Sequence, residues 1–133
     1  MNRKFLLSTI ALFVLSMFLG FLVHGVLLNG DYSQLPHLYR TEEAQMGYFH
    51  WMLLAHLMIA AAFVWIYQQG RNDKPWLAQG VRFGIAVAML MTIPIYLIYY
   101  AVMPLPGALV AKQVIFDTVG VVIMGITVAW LNR

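Results

Sequence analysis

Hydrophobic residues dominate four stretches of the chain, and short polar segments separate these stretches. The apolar stretches cover residues 5–28, 46–67, 77–103 and 107–131. An α-helix rises about 1.5 Å per residue and the hydrocarbon core of a bilayer is about 30 Å thick, so each stretch is long enough to cross a membrane. The pattern therefore predicts an all-α integral membrane protein whose four transmembrane helices form a bundle.

Composition narrows the classes of protein that fit. Hydrophobic residues make up 62% of the chain and charged residues 10%, whereas soluble domains have about a quarter charged residues. Because the four helices use most of the chain, residues 1–133 are predicted to form a single membrane domain. The absence of cysteine excludes disulfides, thiolate metal sites and iron–sulfur clusters. A net charge of +3 does not indicate nucleic acid binding.

The basic residues are divided unevenly between the two sides of the predicted bundle. Arg40 and Lys112 lie on one side, and the other side carries Arg3, Lys4, Arg71, Lys74, Arg82 and Arg133. Loops rich in Lys and Arg stay in the cytoplasm. We therefore predict a multi-pass protein of a bacterial-type inner membrane with both termini cytoplasmic. The basic start resembles a signal peptide, but its apolar run is too long and lacks a cleavage site, which favours a retained first helix.

A faint internal duplication is an open alternative to a simple bundle. The second and fourth predicted helices both begin with polar residues on the outer side and end with a tryptophan, Trp65 or Trp130. This pattern predicts two repeated helical hairpins, although four-helix architecture alone produces the same pattern.

The carboxylate of Asp117 is the most informative polar group in the chain. It lies ten residues beyond Gly107, close to the middle of the fourth predicted helix. A charged group at that depth costs several kcal/mol unless it faces protein or water and has a partner. His56 lies about as deep in the second predicted helix, so we expect Asp117 and His56 to form a pair.

Other polar side chains cluster in the outer half of the predicted bundle. His24 follows Ser8, Ser16 and Gly20 at four-residue intervals, a stripe typical of close helix packing. The complete set of polar groups predicted for this half is His24, His50, His56, Tyr96, Tyr99, Lys112, Gln113 and Asp117. Pro94 predicts a kink that frees a backbone carbonyl just before Tyr96, whose hydroxyl is deep enough to need a partner. Together these residues predict a polar pocket open to the outside.

Two interpretations of this pocket stay open at this level. In the first, Asp117 and His56 bind a polar or cationic small molecule or relay protons, helped by His24, Tyr96, His50 and Gln113, in a transport-related protein that forms a homo-oligomer. In the second, Asp117 and His56 only lock two helices together.

Two further classes of function are alternatives. A haem b electron-transfer subunit would use His24 and His56, or His24 and His50, as axial ligands, although no cofactor is the simpler expectation. An accessory subunit of a larger membrane complex would use the small-residue stripes for docking. An enzyme is disfavoured because no nucleophile–base motif and no metal-ligand spacing is present.

Overall fold

The structure, a computed structural model, describes residues 2–133, and this range contains helices and loops but no strand. Within this range, four helices are long and apolar enough to cross a membrane: Arg3–Leu27, Phe49–Gly70, Trp76–Val102 and Gly107–Leu131. We call them the first to fourth long helices. Their ends lie within three residues of the predicted ones. The prediction of an all-helical protein with four helices long and apolar enough to cross a membrane is thus confirmed.

Two long helices contain a wider, π-helical stretch. In the third long helix this stretch is Ala88–Thr92, which leads directly into Ile93–Val102. Pro94 has no backbone N–H to donate to the carbonyl four residues earlier, which explains why the helix changes register there. In the first long helix the stretch is Phe21–Leu27, and Leu28 N donates to the carbonyl of Val23, five residues back, at 2.8 Å.

The long helices pack in a fixed order. The first long helix lies between the second and the fourth, and the third packs along the fourth. A Cβ atom added at Gly80 would lie 2.7 Å from the carbonyl oxygen of Gly125, and one at Gly84 would lie 2.6 Å from Cα of Val122. The two backbones therefore touch. Glycines four residues apart on the third helix allow this close contact.

The two chain ends lie together, because Lys4 Nζ donates to the carbonyl of Arg133 at 3.1 Å. We call this the terminal end of the bundle and the opposite one the far end. Phe83 packs edge-on against Phe63 and Tyr67, with ring centroids 4.8 and 5.4 Å apart, and so closes the terminal half between the second and third helices. The buried core of this half consists of Leu12, Ala60, Phe63, Val64, Tyr67, Met124, Val128 and Ala129.

Asn132, with 2% of its surface exposed, centres a polar cluster at the terminal end. Its Oδ1 accepts from Gln68 Nε2 at 2.8 Å, and its Nδ2 donates to Ser8 Oγ at 3.2 Å and to the carbonyl of Val128 at 2.8 Å. Its own carbonyl accepts from Arg71. This cluster ties the first, second and fourth helices together and was not predicted from the sequence.

The loop at the far end contains two short helices, Asn29–Ser33 and Glu42–Met46. Lys112 Nζ anchors the first of them to the fourth long helix through Asp31, at 3.0 and 3.2 Å. Thr41 Oγ1 accepts from Ala44 N at 3.2 Å. Thr41 thus caps the second short helix and not the second long helix, because the chain turns at residues 47–48 before Phe49.

The far half of the second long helix has few neighbours. From Phe49 to Ile59, every residue except His56 is exposed. The second and third long helices therefore separate towards the far end, whereas Phe83 holds them together at the terminal end. The hairpin repeat stays a prediction.

Candidate functional site

Asp117 lies in the middle of the fourth long helix, and its side chain is 22% exposed. Its Oδ2 accepts a hydrogen bond from the hydroxyl of Tyr96, on the third long helix. The same oxygen lies 3.0 Å from Nε2 of His24, on the first long helix. One carboxylate therefore joins three helices, and the expectation that Tyr96 has a deep polar partner is confirmed.

His24 has a partner on each ring nitrogen. Nε2 faces Asp117, and Nδ1 lies 2.6 Å from the hydroxyl of Tyr32. The rings of His24 and Tyr32 are also stacked, with centroids 5.9 Å apart. Because Tyr32 belongs to the short helix of the far-end loop, His24 connects the deep carboxylate to that loop.

Gln113 lies one helical turn before Asp117 on the fourth long helix and is 4% exposed. Its Nε2 donates to the hydroxyl of Tyr32 at 3.1 Å. Its Oε1 is buried and has no hydrogen-bond partner within residues 2–133. A hydrogen-bonded chain thus runs from Gln113 through Tyr32 and His24 to Asp117 and Tyr96, and one buried acceptor at its end is unused.

The protonation of Tyr32 is set by its surroundings. Burial raises the pKa of the Tyr32 phenol to about 12, although the hydrogen bond from Gln113 acts in the opposite direction. Tyr32 is therefore a neutral hydroxyl at physiological pH. It donates one hydrogen bond and accepts another, which is what a link between His24 and Gln113 requires.

Local backbone features place these side chains. His24 lies in the π-helical stretch Phe21–Leu27, which changes the direction of its side chain relative to a regular helix. The chain then turns, and the short helix Asn29–Ser33 returns Tyr32 over His24. Gln113 and Asp117 share one face because they are four residues apart in a regular helix.

A cleft of about 420 Å³ opens beside this hydrogen-bonded chain. Four tyrosines line it together with Met103, Leu105 and Gln113, and these tyrosines are Tyr32, Tyr39, Tyr96 and Tyr99. Three residues of the hydrogen-bonded chain thus also line the cleft, namely Tyr32, Tyr96 and Gln113. A second cleft, of about 270 Å³, lies between the second and third helices near Arg82 and Lys74, at the terminal end.

The predicted pairing of Asp117 with His56 is wrong. His56 Nδ1 lies 3.0 Å from Ser16 Oγ on the first long helix. The first helix separates the second from the fourth, so His24, on that middle helix, reaches Asp117 instead. The second helix also begins at Phe49, which places His56 only seven residues from its start, whereas Asp117 lies ten residues from Gly107.

His50 does not join the cluster. It is exposed near the start of the second long helix, with its ring centroid 5.1 Å from that of Trp51. The axial haem ligation considered for His24 would have to displace either Tyr32 or Asp117 from its ring. No group of three or more His, Cys, Asp or Glu side chains suited to a metal ion occurs within residues 2–133.

Tyr32 is the site residue that the sequence analysis missed. Its only signal is the turn predicted at Asn29-Gly30, five residues after His24, which can bring Tyr32 back towards that histidine. Of the predicted site residues, the structure brings together Asp117, His24, Tyr96 and Gln113, places His56 beside them on Ser16, and leaves His50 outside.

Comparison with known proteins adds no constraint on function, because no family model, curated protein or solved structure matches this chain. The site geometry therefore carries the functional argument.

Proposed function

We propose that this chain is a four-span inner-membrane protein whose far end carries an outward-facing binding site for a small polar or cationic molecule. Six basic residues lie at the terminal end or in the loop beside it, and two lie at the far end. This distribution favours a cytoplasmic terminal end, because cytoplasmic loops retain Lys and Arg. The far-end cleft then opens to the outside.

The position of Asp117 is the observation that carries the proposal. A carboxylate in the middle of a spanning helix has a high free-energy cost unless it has partners. Such groups mark binding sites or ion pathways. His24 and Tyr96 both form their hydrogen bonds to the same oxygen of Asp117, Oδ2. One partner, Tyr96, also lines the cleft, so a ligand in the cleft and the charge of Asp117 act on the same hydroxyl.

The hydrogen-bonded chain also supports proton exchange. With a neutral imidazole, His24 donates from Nε2 to Asp117, Tyr32 donates to Nδ1, and Gln113 donates to Tyr32. When a second proton binds, Nδ1 becomes a donor to Tyr32, and the Tyr32 hydroxyl needs a new acceptor. A half-turn of the Gln113 amide brings Oε1 to that position. The link between His24 and Tyr32 is therefore compatible with either direction of the hydrogen bond, which suits a proton relay.

Substitution of Asp117 by Asn tests the proposal. The purified protein in lipid nanodiscs is melted with a panel of small amines, polyols and amino acids, and a ligand is a compound that raises the melting temperature. In liposomes, an internal pH dye reports proton movement when this compound is added outside. We expect Asp117→Asn to abolish both responses and to change the ligand-free melting temperature little, because Asn still accepts from Tyr96.

Asp73→Asn is the matched control, since it removes an exposed carboxylate in the loop between the second and third long helices, at the opposite end of the bundle. It should retain both responses. A lower ligand-free melting temperature for Asp117→Asn with unchanged responses would mean that Asp117 only locks the helices, and would overturn the proposal.

A further inference from the structure

We propose that the far-end cleft binds a methylated ammonium cation, recognised by the rings of its four tyrosines. This inference rests on the proposed function, since it names the class of ligand for the same site. Two observations support the inference: the composition of the cleft wall and the charges around the cleft.

The cleft wall is built mainly from aromatic rings contributed by two separate elements. Tyr32 and Tyr39 come from the far-end loop, and Tyr96 and Tyr99 come from the third long helix. The rings of Tyr32 and Tyr39 are inclined at 55° with centroids 4.7 Å apart, so they form two walls of one corner. The faces of aromatic rings are electronegative and attract ammonium groups, and quaternary ammonium ligands are bound by cages of this kind.

The charges near the cleft favour a cation. Within residues 2–133, no Lys or Arg side chain lines it. Lys112, on the neighbouring fourth helix, is paired with Asp31 at 3.0 Å. Asp117 lies directly behind Tyr96 and supplies negative charge. The far end as a whole carries four carboxylates, those of Asp31, Glu42, Glu43 and Asp117, against two basic side chains. This excess of negative charge attracts cations to the mouth of the cleft.

Two of the four tyrosine hydroxyls in the cleft wall are already used, and Gln113 Oε1 is the one buried side-chain acceptor of that wall left free within residues 2–133, which favours fully methylated over bare ammonium groups. A primary ammonium has three N–H donors that each need an acceptor, and a small metal ion needs several oxygen ligands. Here the hydroxyls of Tyr32 and Tyr96 are already committed to His24 and Asp117. A fully methylated, quaternary ammonium has no N–H donor, so it needs only aromatic faces and nearby negative charge. A volume of about 420 Å³ falls in the range of small-molecule sites.

The test compares choline with neohexyl alcohol, the uncharged carbon analogue of the same shape. Binding to the full-length protein in nanodiscs is measured by isothermal titration calorimetry. We expect choline to bind in the millimolar range and neohexyl alcohol to bind at least about tenfold more weakly, because only choline interacts with the rings as a cation.

Two substitutions at one position separate the ring from the hydroxyl. Tyr99→Phe keeps the aromatic face and should leave choline affinity within about twofold, whereas Tyr99→Leu removes it and should weaken binding about fivefold. Tyr100→Leu is the matched control, because Tyr100 is the next residue and is exposed to 50%, against 49% for Tyr99, but does not line the cleft. It should bind choline as the wild type does.

Three results would overturn the inference. Equal binding of choline and neohexyl alcohol would show an apolar pocket without cation selectivity, and equal losses in Tyr99→Phe and Tyr99→Leu would implicate the hydroxyl. Absence of choline binding, with another compound still producing an Asp117-dependent response, would refute the ligand class and leave the proposed function standing. If no compound gives an Asp117-dependent response, the proposed function fails as well.

Discussion

Two buried carboxamide side chains lie at opposite ends of the bundle, Asn132 at the terminal end and Gln113 at the far end. They differ in how completely they are hydrogen-bonded. Both are almost fully buried, with 2% and 4% of their surface exposed. Both polar side-chain atoms of Asn132, Oδ1 and Nδ2, have hydrogen-bond partners, and these partners lie on three different helices. Gln113 uses only Nε2 and leaves Oε1 buried without a partner inside the described part of the chain.

The difference agrees with a structural role for Asn132 and with the binding site that we propose beside Gln113. A fully satisfied buried polar group holds its neighbours in one arrangement, whereas an unsatisfied one needs an explanation, such as an alternative hydrogen-bonding state or a missing ligand. Within residues 2–133, no carboxylate is hydrogen-bonded to Asn132. Around Gln113 there is a cleft, a deep carboxylate and a histidine. We therefore assign stability to the terminal end and function to the far end.

The largest expected effect comes from breaking the close packing of the third and fourth helices. A methyl group at Gly84 would lie 2.6 Å from Cα of Val122, so Gly84→Ala must push the two backbones apart. We expect a loss of about 3 kcal/mol in the free energy of unfolding, measured by circular dichroism during SDS titration. Gly70→Ala is the control, because nothing lies within 4 Å of its added Cβ. A loss in Gly84→Ala no larger than that of the control would contradict the close contact.

A smaller effect is expected from removing the amide of the terminal lock. Asn132→Ala leaves Gln68 Nε2 and Ser8 Oγ without this partner, and should lower the free energy of unfolding by about 2 kcal/mol. Choline binding should not change, because the cleft lies at the other end. Gln113→Ala should show the opposite profile, with a loss of at most about 1 kcal/mol and altered binding. If both substitutions changed stability and binding alike, the division between lock and site would be wrong.

The smallest effect concerns the alkaline pH dependence of stability. Burial raises the pKa of Tyr32 from the ordinary value near 10 to about 12, so the folded state favours the neutral phenol. The resulting stabilisation is present below about pH 10 and is lost as the pH rises towards about 12, since the unfolded chain ionises first. We expect the melting temperature of the wild type to fall more steeply over this window than that of Tyr32→Phe, by a few degrees. Tyr48→Phe, at an exposed tyrosine, is the control and should follow the wild type.

Much of the fold was predictable because the signals for it are local. A run of apolar residues of bilayer length requires a helix wherever it occurs, and the ends of the four long helices lie within three residues of those expected. The stripe through Ser8, Ser16 and Gly20 correctly marked the face of the first helix that packs inwards. Pro94 lies where the third helix passes from the π-helical stretch to regular α-helix, because its missing N–H acts on the nearest turn, and the predicted kink itself stays a prediction.

The site was predictable only in part, because its members come from different elements. Asp117, His24, Tyr96 and Gln113 were identified as polar groups that need partners at membrane depth. The partner of Asp117 was misassigned, since depth along a helix does not specify which helix lies beside it. Tyr32 was missed because a tyrosine near a membrane surface usually needs no special explanation.

The sequence by itself thus determined that four apolar helices must bury a carboxylate and a set of rings in one half of the bundle. The reason is physical: length, hydrophobicity and the cost of a lone charge in hydrocarbon are properties of each segment alone. Only the tertiary structure decided that His24, Tyr96 and Tyr32 meet around Asp117. Such contacts join residues up to 93 positions apart in the sequence. They depend on the packing order of the helices and on the π-helical stretches in the first and third long helices.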